Sequence, residues 1–172
     1  MTAPDQPVPD RTVPVGDEQR WVAFVQGADR TGTLTALAGV FSTRGVSFDS
    51  LSTGSDVADG VGPIVVTFTA SERRSRLLVR TVARLSGVRA VDLRAAADPT
   101  VRAVAVLAPG DWPGIALPDG VRCSGDPSGD RPVLVDGPLA QVEQVVAAAH
   151  RGGARSVTSV VLPHPGPDPA RR

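Results

Sequence analysis

The chain has 172 residues, 41% of them hydrophobic, enough for a sizeable core, and 18 Lys plus Arg balance 18 Asp plus Glu, so no overall field draws it onto nucleic acid or a lipid surface. A single cysteine, Cys123, excludes an intrachain disulfide and a multi-cysteine metal site, which fits a reducing cytoplasm. Residues 1–18 are polar and proline-bearing, with no apolar run suited to a secretory or membrane segment, and with residues 163–172 they are expected to form disordered tails.

Residues 21–26 are apolar and followed by Gly27, which predicts a buried strand. Over 32–44, Leu34, Leu37, Ala38 and Phe41 recur with the spacing of a one-sided helix. Gly45 ends it through the left-handed conformation, and Asp29 or Thr31 can cap its start. A second strand is expected at 46–52, irregular near Leu51, and a polar loop at 54–62. The third strand has Ile64, Val66 and Phe68 on one face and Val65, Thr67 and Thr69 on the other, so it is expected to be amphipathic, with one face covered. Ser71 and Glu72 start a helix with Leu78, Val82 and Leu85 on its stripe, ended by Gly87, and 88–93 form a fourth strand.

This order gives an α+β protein with a ferredoxin-like βαββαβ domain over 19–96, both helices on one face of the sheet. After a polar break at 97–99, a weaker copy spans 101–162: strands at 102–107, 121–123, 132–136 and 156–162, and a helix at 139–150. The turn-rich stretch 111–115 leaves its first helix nearly missing, so the second unit is a degenerate ferredoxin-like domain.

Catalytic chemistry finds little support. His150 sits at a predicted helix end, where the helix dipole favours it, and His164 lies in the proline-rich tail. Cys123 has neither a nearby histidine nor a nucleophile turn. Asp126, Asp130 and Asp136 lack the spacing and closing Glu of a calcium loop, and a hairpin turn accounts for them. The glycines at 27, 32, 39 and 45 form no phosphate-cradling motif, and the chain has no Lys for a P-loop. Arg73, Arg74, Arg76, Arg80 and Arg84 lie along the second helix, where a solvated face is the simple reading and no nucleic-acid partner is expected.

The strand-turn-helix around Asp29-Arg30-Thr31-Gly32-Thr33-Leu34 is chemically suggestive. The first N–H groups of a helix have no intrahelical acceptor and can hold a carboxylate, while Gly32 leaves the backbone open. Asp29 either contacts an ammonium group or caps the helix.

That turn, with Leu37, Val40-Phe41-Ser42-Thr43-Arg44-Gly45, Phe48 and Asp49-Ser50-Leu51, resembles the ACT domain of the acetolactate synthase small regulatory subunit family. Asp98-Pro99-Thr100 leading into Val104-Ala105-Val106 also resembles that family's link to its C-terminal domain. The resemblance implies a noncatalytic subunit that activates a thiamine-diphosphate-dependent catalytic partner and confers feedback control by a branched-chain amino acid. It implies no cofactor on this chain, with thiamine diphosphate, Mg and FAD on the partner. It further implies homodimers paired through ACT domains, with effector sites between Asp29, Gly32, Thr33 and Leu34 of one chain and Ser47 and Phe48 of the other. Asp29 and Ser47 each stand where the family has Asn, which changes the donors and acceptors offered to an effector. The alternative is a stand-alone ACT-domain sensor regulating a different enzyme.

Overall fold

The computed structural model describes residues 17–28, 32–54, 60–108, 116–126, 129–154 and 157–163. The expected caps Asp29 and Thr31, the turn-rich stretch 111–115, His164, and nearly all of both expected tails lie outside them. In chain order the elements are β1 (Glu18–Ala28), α1 (Thr33–Thr43), β2 (Phe48–Thr53), β3 (Val61–Ser71), α2 (Glu72–Val82), β4 (Val88–Ala95), β5 (Arg102–Leu107), β6 (Arg122–Ser124), β7 (Val133–Pro138), α3 (Leu139–Arg151) and β8 (Val157–Val161). Glu18, assigned above to the N-terminal tail, already pairs with Ser71 at the start of β1.

Two antiparallel four-stranded sheets result, ordered β2-β3-β1-β4 and β6-β7-β5-β8. The second repeats the strand order of the first. Among the described residues it carries one helix where the first carries two, which is the degenerate ferredoxin-like pattern.

The first unit's core follows the period of its strands. Trp21, Ala23 and Val25 of β1 and Ile64, Val66 and Phe68 of β3 share a cluster with Leu37 and Phe41 of α1 and Leu78 and Val82 of α2, so both helices lie on one face. Phe41 meets Phe48 and Phe68 edge to face, at ring distances of 4.5 and 5.1 Å. Trp21 is buried yet satisfied, its Nε1 donating to the Ala70 carbonyl at 3.0 Å.

The opposite face of β3 corrects the expectation of an amphipathic strand. Ile64 to Phe68 are buried without interruption. Val22, Phe24 and Val65 join one apolar cluster with Val101, Ala103 and Ala105, with Val133 and Val135, and with Leu139, Val142 and Val145 of α3. The second unit covers the face that a lone ferredoxin-like domain leaves wet. Thr67 is fully buried, and its hydroxyl and that of Ser50 share a hydrogen bond of 2.7 Å.

Helix ends divide between expectation and correction. Ser71 caps α2 by accepting from the Arg74 N–H, and Gly45 closes α1 at φ 61°. Gly87, however, does not end α2. The helix stops at Val82, and single-turn bonds from Arg84 N–H to the Thr81 carbonyl and from Leu85 N–H to the Val82 carbonyl lead out of it, leaving Leu85 half-buried beyond the helix. The need for glycine at 87 comes from the start of α1.

Candidate functional site

Gly32 occupies the N-cap of α1 at φ 105°, a left-handed conformation that glycine adopts without strain, and no side-chain cap bond is made there. Among the described residues a Cβ at this position would meet nothing within 4 Å. The first intrahelical bond runs from Ala36 N–H to the Gly32 carbonyl at 2.8 Å, so the amides of Thr33, Leu34 and Thr35 have no acceptor within the helix. Three donors without an intrahelical acceptor, at the positive end of the helix dipole, suit a carboxylate.

Thr33 brings its amide to this opening and turns its side chain inward. It is buried, with Cγ2 3.3 Å from where a Cβ of Gly27 would stand, and Oγ1 2.5 Å from where a Cβ of Gly87 would stand. Two glycines therefore make the slot that seats the first helical residue. A bond of 2.6 Å from Ala28 N–H to the Gly87 carbonyl fastens the same corner. Leu34 is 42% exposed and stands beside the opening as an apolar wall.

Ser47 and Phe48 lie elsewhere. Ser47 is exposed, and the Phe48 ring packs against Phe41 in the last turn of α1. Eleven helical residues separate that end from Gly32, a span of about 16 Å at 1.5 Å per residue. One chain does not bring the two halves of the predicted site together. Asp29 lies outside the described residues. β2 is an edge strand, paired to β3 alone among the described residues.

Arg20 and Asp136 have structural partners. Arg20 donates from Nε to Asp49 at 3.2 Å and from Nη1 to Glu143, so it ties β1 to β2 and to α3. No pattern in the sequence pointed to it, since Arg20 and Glu143 are 123 positions apart. Asp136 accepts from Arg122 at 2.8 Å and from Arg102 at 3.1 Å; the hydrogen bond from Arg122 is the main reason its carboxyl lies below the ordinary range. Cys123 is half-buried in β6, and burial pushes its thiol up, away from the thiolate a nucleophile needs. His150 is exposed in the last turn of α3. Among the described residues no group of three or more His, Cys, Asp or Glu is placed to hold a metal, and no helix is long and apolar enough to cross a membrane. The unpaired helix amides suit an anionic ligand, and among the described residues no acid, base or nucleophile gathers at the α1 opening.

The fold is that of ACT-type ferredoxin-like units in tandem. Among solved structures the chain is similar to the acetolactate synthase small subunit of Thermotoga maritima, with a TM-score of 0.60 at 12% identity over 85% of this chain and 98% of that one. It is also similar to the ACT domain of the Chlorobium tepidum GTP pyrophosphokinase (TM-score 0.41, 15% identity, 45% of this chain and 100% of that one). A third likeness is to the regulatory subunit of Thermus thermophilus aspartate kinase (TM-score 0.41, 15% identity, 78% of this chain and 92% of that one). No family model matches the sequence, and no curated protein matches it.

Proposed function

We propose that this chain is a noncatalytic regulatory subunit of the acetolactate synthase type, or a divergent paralogue of one. In this reading it binds a thiamine-diphosphate-dependent catalytic subunit in the cytoplasm and raises its activity. Thiamine diphosphate, Mg and FAD reside on that partner. Two copies pair through their first units, and a small amino-acid effector sits between Asp29, Gly32, Thr33 and Leu34 of one copy and Ser47 and Phe48 of the other.

The observation that carries the reading is the division of the site. Helix amides without an intrahelical acceptor stand at one end of α1, Ser47 and Phe48 at the other, and β2 pairs with β3 alone among the described residues, which supports a pocket completed by a second copy. The tandem architecture shared with the Thermotoga maritima small subunit over nearly its whole length supports it further.

Coexpression with a cognate thiamine-diphosphate synthase tests the reading directly. The tagged chain is expected to copurify with the synthase and to raise its turnover; absence of both overturns the subunit assignment. A thermal-shift screen over the amino acids then identifies the effector. Stabilisation by valine, leucine or isoleucine supports feedback control, whereas stabilisation by a different ligand supports a stand-alone sensor serving another enzyme.

A further inference from the structure

We infer that the β4 edge of the first sheet, together with the arginine face of α2, is a docking edge for an extended acidic segment of a partner protein. The inference rests on the reading that the chain acts through a partner, and it names where that partner is gripped.

Three observations meet at this edge. The first is backbone. β4 pairs with β1 alone among the described residues. In an antiparallel ladder, directly opposed residues alternate between pairs that exchange both bonds and pairs whose N–H and C=O point away. The bond from Ala96 N–H to the Arg20 carbonyl at 2.9 Å sets the phase: Val22 with Arg94 and Phe24 with Asp92 are the bonded pairs. Val91 and Leu93 therefore turn their N–H and C=O to the open edge, as a template for one more strand.

The second is the shape above that edge. An open groove of about 430 Å³ runs between α2 and β4, floored by Trp21 and Leu93, with Val79, Arg76, Arg80 and the Arg76-paired Glu72 above. It is too open to enclose most of a small molecule's surface, as ligand pockets do. An extended chain laid along β4 would fill it, with alternate apolar side chains on Leu93 and Val79.

The third is charge. α2 carries Arg73, Arg74, Arg76 and Arg80 against one carboxylate, Glu72, which pairs with Arg76. Among the described residues no carboxylate pairs with Arg73, Arg74, Arg80 or Arg84. Two-fold pairing of two β4 edges would set one α2 beside the other and bring the groove-lining Arg76 and Arg80 toward their own copies, which disfavours a second copy. An acidic strand meets no such penalty. Nucleic acid would answer the charge alone and leave the apolar floor and the strand edge unused.

The test uses the full chain and a labelled peptide matching the eight residues of β4, alternating glutamate and valine. Fluorescence anisotropy is expected to show binding that weakens as salt rises. The double variant Arg76→Glu, Arg80→Glu should weaken it at least about tenfold with an unchanged far-ultraviolet spectrum, because both side chains are exposed. Hydrogen exchange should slow at the Val91 and Leu93 amides. Equal binding of a lysine–valine peptide, protection appearing instead at Leu51 and Thr53, whose amides face the open β2 edge, or insensitivity to both salt and the arginine changes would each overturn the proposal. So would displacement of the peptide by a single-stranded oligonucleotide, which would make this a nucleic-acid face. The peptide assay needs no cognate synthase, so its failure and a failure of the subunit assignment are read separately.

Discussion

Gly87→Ala tests the account of how the α1 opening is held. The new Cβ would stand 2.5 Å from Thr33 Oγ1, 3.2 Å from Cγ2 and 3.3 Å from Cβ. Because all three atoms are that near, rotating the threonine about χ1 exchanges one clash for another, and the helix start itself must move. Overpacking of this kind costs about 1–3 kcal/mol. Against it stands the lowered entropy of the unfolded chain, worth about 0.4–1 kcal/mol for Gly→Ala where φ is not positive, as at Gly87. The clash wins by about 1–2 kcal/mol, a fall in melting temperature of about 2–8 °C for a chain of this size. Thr33→Ala removes Oγ1 and Cγ2 and leaves only the 3.3 Å contact, so Gly87→Ala in that background should be close to neutral. Thermal and urea unfolding of the four proteins in the cycle measure the coupling. Equal cost of Gly87→Ala with threonine and with alanine at 33, or no cost with threonine, would refute the slot.

Three further outcomes are expected. Asp136, held below its unfolded pKa of about 3.9 chiefly by the Arg122 hydrogen bond, contributes stability that is complete above that value and is lost as pH falls through the lower folded one. Asp136→Asn should therefore flatten the decline in stability below about pH 4, and superimposable acid-unfolding curves would count against the pairing. Phe48→Ala removes a half-buried ring from its edge contact with Phe41 and should cost about 1–3 kcal/mol by urea unfolding, less than the 3–5 kcal/mol of a fully buried phenylalanine; a neutral result would detach Phe48 from the core. Asp29→Asn removes a negative charge three positions before Gly32 in the sequence and, on the proposed reading, should strengthen branched-chain amino-acid binding in calorimetry. Unchanged or weaker binding would argue against Asp29 as an effector residue.

The first unit was legible because its signals are local. A one-sided stripe over α1, a serine cap on α2 and alternation in β3 each fix an element within a dozen residues. What escaped was whatever a second element decides. Val65 and Thr67 read as an exposed face until α3 and the second sheet cover them. Gly87 read as a helix stop because glycine commonly serves as one, while its reason, the Thr33 side chain, stands 54 positions earlier. The candidate site was half legible: the open amides follow from a glycine before a helix, whereas the inward turn of Thr33 depends on two glycines in other elements.

The two edges of the first sheet face different demands, and their side chains answer differently. β2, with the sequence Phe-Asp-Ser-Leu-Ser-Thr, carries one charged group, Asp49, already bonded to Arg20. Nothing there repels an identical strand, so self-pairing costs no charge burial. β4 lies beside a helix whose groove-lining Arg76 and Arg80 would approach their own copies in a like pairing. An unprotected edge invites any strand, and proteins limit that choice with charge. On the proposed reading the same device sorts the two edges, leaving β2 open to its own kind and β4 to an acidic stranger. In that reading, where the chain pairs with itself and also grips a different chain, the asymmetry serves both contacts, and reversing the α2 charges should abolish the second while sparing the first.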